Sequence, residues 1–509
     1  MPHPHKRRRL AKRRLDMSTP HDEESNDENS SVSNIEHLGR SIRLMMSSNL
    51  HSDKATIKMG EGYDYNILGE DTNPDEIHSE LRKYTSDFAK KLEKENAQDY
   101  VALSSDGNAR GEQSEIAVIE RPNSHRGPKD VLGDVSSPQE ETEVFSGALD
   151  EYLNGRLARM IYGSNMIEQA GGGIETTTRL CRAVFQGQEY IPEAVTEDNP
   201  EYEELASHLQ SENLPNGHAA ILQSYREIVQ HAQAARHIIE EVCIKGKDLS
   251  EKIILETHGI LTYKIDLNDR HQTPWIWYSG VYRTCLVRCG SHVFMHEDKV
   301  PFAMRDMIEE LDSDIKTITE TGEVDPVELA SKYCHNFVNI HPFRDGNGRM
   351  CRLILNTLLL KYGGVGGIVC IGQDHEDRQE YRRIAVDSSA GEKNTEHLPG
   401  LKPKHYKQLA SFTLRHARDS MRDLNNYIKL VLALPGGVPI LLTPKLQDSG
   451  QDTTNRNGKR RRAKIPSDEF DHVKPYFKRL ENGAHKASLL TAQSEQRTSQ
   501  NFAELLDTP

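Results

Sequence analysis

Hydrophobic positions are sparse at both ends of the chain and dense in its middle. Residues 1 to about 70 are polar and poor in aromatics, so they read as a disordered N-terminal tail. Asn73-Pro74-Asp75-Glu76 then starts a helix, with a cap, Pro at the first helical position and acids behind it. Ile77, Leu81, Phe88 and Leu92 give that helix a thin apolar stripe, the mark of a peripheral element. Residues 98–140 are rich in Ser, Gly, Asp and Pro and read as a linker or long loop. From about 142 the spacing turns helical: Phe145, Leu149, Tyr152, Leu153, Leu157, Met160 and Ile161 share one wide face. Gly163 is expected to interrupt this helix, Ser164 to Gln169 to continue it briefly, and Gly171 to Gly173 to end it. Further helices are predicted near 216–243, 249–263 and 301–318, the second opening with Asp248 and Glu251 in capping-box spacing. The one strand signal is WIWYSGVYRTCLVRCGSHVF, Trp275 to Phe294, which predicts a β-hairpin turning near Gly290. Isolated between helices, it cannot belong to a large sheet. No repeat of 20–50 residues is visible.

The pattern is sharpest from 325 to 363. Asp325-Pro326-Val327-Glu328 is a cap, an N1 proline and an acid at N3. Leu329, Ala330, Tyr333, Cys334, Phe337 and Ile340 follow as a buried helical face, and Pro342 stops the helix by excluding its predecessor from the α region. After Asp345-Gly346-Asn347-Gly348 a second helix begins, with apolar positions Met350, Leu353, Ile354, Thr357 and Leu358, closed by Gly363. The prediction is helix, short polar loop, helix.

Composition narrows the classes. Sixty-four Lys and Arg against 78 Asp and Glu leave a net charge of −14, which excludes a generic nucleic-acid binder. With 36% apolar and 28% charged residues, part of the 509-residue length is tail and linker, and the rest suffices for a sizeable core. The longest apolar run, Leu430 to Leu442, is too short and too broken by Pro and Gly to span a bilayer. The N-terminus has no apolar segment of the kind a secretory signal needs. Basic clusters at Lys6 to Arg14 and Asn457 to Lys464 read as nuclear import signals, weak phosphate-binding tails or merely solvated runs. Seven cysteines without a CxxC pair read as buried reduced thiols, which fits a nuclear or cytoplasmic protein.

The loop between the two sharp helices has a definite chemical capability. Gly346 and Gly348 let backbone N–H groups turn toward one point, and the following helix start adds free donors and a positive dipole end. Arg349 and Arg352 lie one turn apart on the same face and can hold a di- or triphosphate. Asp345 is a carboxylate within reach of those phosphates, the arrangement Mg²⁺ prefers. His341, at the mouth, is the nearby group with an ordinary pKa close to neutrality and the natural general base. Each feature alone has a bland reading as a turn, a helix cap or a solvated face; together in twelve residues they point to a phosphate-handling site.

The segment His341 to Arg352, HPFRDGNGRMCR, resembles the Fic family signature HxFx(D/E)GNGRxxR at every specified position. The preceding HNFVNIHPF and the hairpin GVYRTCLVRCGSHVF, similar to the family's target-holding flap, extend the resemblance over roughly residues 142–420. It implies a mainly α Fic-fold bundle with one β-hairpin flap, flanked by disordered tails, that transfers AMP from Mg-ATP to a Ser, Thr or Tyr hydroxyl of a protein. His341 would take the hydroxyl proton, Asp345 would hold Mg²⁺, and the amides of Gly346, Asn347 and Gly348 with Arg349 and Arg352 would bind the phosphates. Tyr381, in DRQEYRRIA, falls where family members often place an aromatic residue against the adenine. Ser164 and Glu168 match the inhibitory pattern (S/T)xxxE(G/N) of class II members, with Gln169 in place of the final Gly or Asn. Glu168 would then pair with Arg352 and occupy the place of the γ-phosphate. The intact GNGR disfavours the Doc-type kinase variant.

The implied organisation is a tail over 1–70, a peripheral helix and linker over 71–141, the inhibitory helix over 142–175, the Fic domain with C-terminal helices over 176–435, and a polar tail over 436–509. Partners are ATP and a protein segment bound along the flap, with no membrane and no specific nucleic acid; a homodimer stays open. Three alternatives also stay open: removal of AMP at the same site, a different phosphate-containing donor, and a catalytically quiet nuclear interaction protein.

Overall fold

The computed structural model describes residues 37–50, 56–57, parts of 63–90, and 138–187, 194–269, 272–289, 292–363, 368–395 and 404–433. Both basic clusters, Phe88, Leu92, Gly290, the expected linker up to 137 and the tail from 436 lie outside these residues.

The described chain is mainly helical, as expected. Helix α1, Leu38–Leu50, falls inside the stretch read as a disordered tail; Leu38, Ile42 and Met46 recur at helical spacing and are buried. Helix α2, Pro138–Ile167, buries the predicted face of Phe145, Leu149, Leu153, Leu157, Met160 and Ile161. It runs straight through Gly163. That glycine is a close-approach site rather than a breaker, because a Cβ there would run into the Ile371 carbonyl. Helices α3, Ile174–Phe185, and α4, Pro200–Ser211, follow. Helix α5, His218–Ile239, ends in one π turn, Glu240–Ile244.

Helix α6 is Glu251–Leu261, and its N-cap is Ser250, whose Oγ accepts from the Ile253 amide, rather than Asp248. Asp248 pairs instead with Lys361 at 3.1 Å. The expected strand from Trp275 is corrected. Trp275–Trp277 is a 3₁₀ turn, and among the described residues only β2, Arg288–Cys289, and β3, His292–Val293, pair antiparallel, Arg288 opposite Val293. The aromatic residues that raised the strand signal share no strand face: Trp277 is exposed, whereas Tyr278 is buried with its hydroxyl donating to the Ile265 carbonyl at 2.6 Å. A second two-stranded ladder, parallel, joins β1, Thr56–Ile57, to β4, Glu323–Val324.

Helix α7, Val300–Thr321, precedes the central antiparallel pair α8, Pro326–Ile340, and α9, Asn347–Gly363. Asp325 caps α8 as predicted, its Oδ1 accepting from the Val327 and Glu328 amides at 3.1 and 3.0 Å. Glu328 does not close a capping box; it accepts from Lys404 and the Tyr406 hydroxyl. Both predicted apolar faces are buried, and each fully buried Phe or Leu among them contributes roughly 1.5–3 kcal/mol. Helices α10, His375–Thr395, and α11, Lys407–Ala433, complete the bundle. Five cysteines are buried free thiols, but Cys285 is partly exposed and Cys289 exposed, because both sit on the hairpin segment rather than on a helix face.

Candidate functional site

Helix α8 ends at His341, which takes a left-handed backbone conformation with φ +50°. Pro342 forbids helical continuation, and the His341 amide still donates to the Phe337 carbonyl at 3.0 Å. The ring Nδ1 lies 3.1 Å from the Val338 carbonyl, which can only accept, so the proton sits on Nδ1 and Nε2 keeps its lone pair. Burial pushes the His341 pKa down to about 4, and the nearby Arg283 guanidinium adds to the depression. The ring is therefore a neutral acceptor at physiological pH.

The loop after His341 is held from inside and outside. Asn347 Oδ1 accepts from the Phe343 amide and its Nδ2 donates to the Phe343 carbonyl, both at 2.9 Å. The Asn347 side chain is thus a staple, leaving only its backbone for any ligand. His258 of α6 stacks on Phe343 with centroids 3.6 Å apart. Its Nε2 donates to the Asp345 carbonyl at 3.0 Å while Nδ1 accepts from the Gly280 amide at 3.0 Å. Burial pushes the His258 pKa down to about 3, which keeps this donor–acceptor pattern intact. Gly346, at φ +77°, faces the same imidazole; a Cβ would meet His258 Nε2 at 3.3 Å.

Arg349 and Arg352 rise from the first turn of α9 and both are buried. Arg349 Nη2 donates to Asp345 Oδ2 at 3.0 Å, and its Nε and Nη1 have no hydrogen-bond partner. A guanidinium with two idle nitrogens beside a helix N-terminus has the chemistry to receive an anionic oxygen. Arg352 is engaged through Nε and Nη2 by the end of helix α2 and the residue after it. Its Nε donates to Ser164 Oγ at 2.8 Å, and its Nη2 donates to the Ser164 carbonyl at 2.9 Å and to Glu168 Oε1 at 2.8 Å. The same carboxylate oxygen lies directly over Gly348, where a Cβ would collide with it. That oxygen therefore lies at the N-terminal end of α9, beside the Arg352 guanidinium.

Tyr381 is placed differently from an aromatic that faces a base. It is buried, its ring lies 5.5 Å from the Arg352 guanidinium carbon, and its hydroxyl is 3.7 Å from Cys351 Sγ. It supports Arg352 from beneath. Asp345 is the most exposed member of the group, its side chain 45% accessible. Among the described residues no three His, Cys, Asp or Glu side chains converge as a metal site. One exposed carboxylate oxygen set fits a hard cation only if the remaining ligands come from phosphate and water, as Mg²⁺ accepts.

A set of residues that sequence reasoning missed holds the Glu168 turn. Gln169 leaves α2 at φ +55°, and the Ala170 amide returns to the Asn165 carbonyl at 3.0 Å. From α5, Glu227 Oε2 accepts from the Gly171 amide at 2.7 Å and Ser224 Oγ donates to the Gly171 carbonyl. His231 Nδ1 meets Asn165 Oδ1 at 2.8 Å. Arg382 of α10 donates to the Ile167 carbonyl. Burial raises the Glu227 pKa even though Arg349 acts to lower it. The available signal was Ser224, Glu227 and His231 at i, i+3 and i+7, polar groups on the same helix face as the apolar Ile228 and Ala235. All three are buried.

The Fic/DOC family model matches residues 248–359, which include the whole loop. A Fido domain-containing protein of Dictyostelium discoideum is 32% identical over 119 residues, 23% of this chain and 80% of that protein. A protein adenylyltransferase Fic of Nematostella vectensis is 28% identical over 187 residues, 34% of this chain and 42% of that protein. The chain thus spans most of the first relative and less than half of the second. A Fic domain containing signaling protein from Bacteroides thetaiotaomicron aligns with 57% of this chain and 96% of its own at 20% identity and a TM-score of 0.38, too remote to carry functional weight. No helix among the described residues is long and apolar enough to cross a membrane.

Proposed function

The chain belongs to the Fic/DOC family, and from that premise we propose that it transfers AMP from Mg-ATP to a protein hydroxyl and is held inactive by Glu168. One observation carries the reading. A carboxylate oxygen lies at the first turn of α9, over Gly348 and 2.8 Å from Arg352, beside an Arg349 whose Nε and Nη1 are idle. That place accepts anionic oxygen, and the adenylyltransferase of Nematostella vectensis aligns with part of this chain.

His341 Nε2 accepts the proton of the incoming hydroxyl as its oxygen bonds to the α-phosphorus. The bond from that phosphorus to the bridging oxygen breaks, and pyrophosphate leaves with the electron pair. Arg349 and the amides at the start of α9 hold the phosphate chain in line, so that positioning and charge neutralisation provide the acceleration. Asp345 is the residue that would hold Mg²⁺, which when bound offsets phosphate charge. With Glu168 in place, Arg352 has no free donor on Nε or Nη2 for a γ-phosphate.

The test is incorporation of label from [α-³²P]ATP into protein by wild type, Glu168→Gly and Glu168→Gly/His341→Ala. The expected order is weak, strong, none. Label retained without His341 would remove the general base, and equal wild-type and Glu168→Gly signals would remove the inhibition. Incubating AMP-modified protein with the same three forms tests the reverse direction, in which Glu168 would orient a water.

A further inference from the structure

The backbone of His341 is left-handed, a conformation that raises the energy of a non-glycine residue by roughly 1–2 kcal/mol. Something outside the loop must hold it. The contacts come from the segment around β2 and β3. Arg283 Nε donates to the His341 carbonyl at 2.7 Å, and the Arg283 amide donates to the Pro342 carbonyl at 2.9 Å. The same guanidinium reaches both stems of the hairpin, Nη1 to the Cys285 carbonyl at 3.0 Å and Nη2 to the Met295 carbonyl at 2.6 Å. Phe294, whose amide extends the hairpin by donating to the Val287 carbonyl, stacks on the His341 ring with centroids 3.7 Å apart and planes 15° from parallel. Arg283 and Phe294 are both buried.

We propose that Arg283 and Phe294 are positioning residues for His341, so that the hairpin sets the orientation of the imidazole as well as bordering the site. This rests on His341 being the general base. Arg283 ties the left-handed backbone to the hairpin stems; Phe294 covers one face of the ring and fixes its plane, while Val338 fixes which nitrogen carries the proton. A target segment that moves the hairpin then also moves the base. The charged groups facing His341 are Arg283 from the hairpin, Glu168 from α2 and Asp345 from the loop; Arg283 opposes protonation and the two carboxylates favour it. Phe294 contributes by excluding water, the principal cause of the depressed pKa.

The experiment uses the full chain carrying Phe294→Leu, Phe294→Tyr or Arg283→Lys. An NMR titration of the His341 ring reports position without any turnover. Phe294→Leu should raise the midpoint from about 4 to 5 or above. In the Glu168→Gly background it should then lower transfer at pH 5 at least about twofold relative to pH 8. Phe294→Tyr, which keeps the stack, should restore both. Arg283→Lys keeps the charge but cannot span three carbonyls, and should lower the transfer rate about tenfold or more with ATP affinity within about twofold. An unmoved His341 midpoint in a folded Phe294→Leu protein overturns the proposal. Should that variant not fold, an Arg283→Lys rate equal to the parent, or ATP affinity falling in step with it, overturns the proposal instead. If no form transfers AMP, Glu168→Gly included, the functional reading fails while the titration still decides the positioning.

Discussion

Glu168 and Arg352, 184 residues apart in the chain, meet at 2.8 Å over the backbone of Gly348. The pair joins the turn that follows α2 to the N-terminal part of α9. Under the proposed function, it places an acid where the nucleotide's anionic end would bind. Arg352 is buried and Glu168 is partly open to solvent, so under the proposed function the carboxylate, rather than the guanidinium, is the partner that a bound anion would displace.

Removing Glu168 should therefore create a ligand-dependent stability. Mg-ATP at about 100 times its Kd stabilises the form that binds it by about 2.7 kcal/mol. Thermal melts should rise by several degrees with Mg-ATP for Glu168→Gly and by little for wild type. Equal shifts would mean that Glu168 does not compete with the nucleotide.

Gln169 occupies a left-handed position, φ +55°, that Gly and Asn adopt with less strain. Gln169→Asn should stabilise the turn by about 0.5–1 kcal/mol and lower basal AMP incorporation, whereas Gln169→Val should raise it. Basal incorporation measured across the three forms checks the order; a flat series means that the turn's strain does not reach Glu168.

The α5 clamp should matter to the same degree as the turn it holds. Glu227→Ala leaves the Gly171 amide without its acceptor, which should destabilise the protein by about 1–3 kcal/mol. It should also release Glu168 partly, giving incorporation between wild type and Glu168→Gly. Denaturant unfolding and labelling on the same preparations test both; stability lost without any gain in labelling confines Glu227 to the fold.

The depressed pKa values set two pH dependences. His341 must be neutral to accept a proton, and its folded pKa is about 4, so transfer by Glu168→Gly should hold from pH 8 to below 6 and fall as pH drops through about 4. For stability, the unfolded chain binds a proton at His341 near pH 6.5, before the folded chain does. The stability due to its burial is fully present above that pH and is lost as pH falls toward 4. His258, at about 3 when folded, adds the same trend over a wider range. A rate profile with its acid limb near 6.5 would contradict the depressed pKa of the half-buried His341.

What the sequence determined by itself is the region from Asp325 to Gly363. The cap, the N1 proline, the stop at Pro342 and the glycine-rich loop all act on their immediate neighbours, so local sterics and hydrogen bonding settle both helices and bring His341, Asp345, Arg349 and Arg352 near one another. What only the tertiary structure decided depends on long-range approach. Gly163 lets α2 continue because another segment's backbone lies against it, and the α5 face of Ser224, Glu227 and His231 acquires meaning only from the turn it meets. Tyr381 packs beneath Arg352, and the hairpin grips His341 through Arg283 and Phe294. The physical reason is that helix periodicity and turn chemistry are encoded within a few residues. Which buried polar group finds which partner is settled only when distant helices close around it and exclude water.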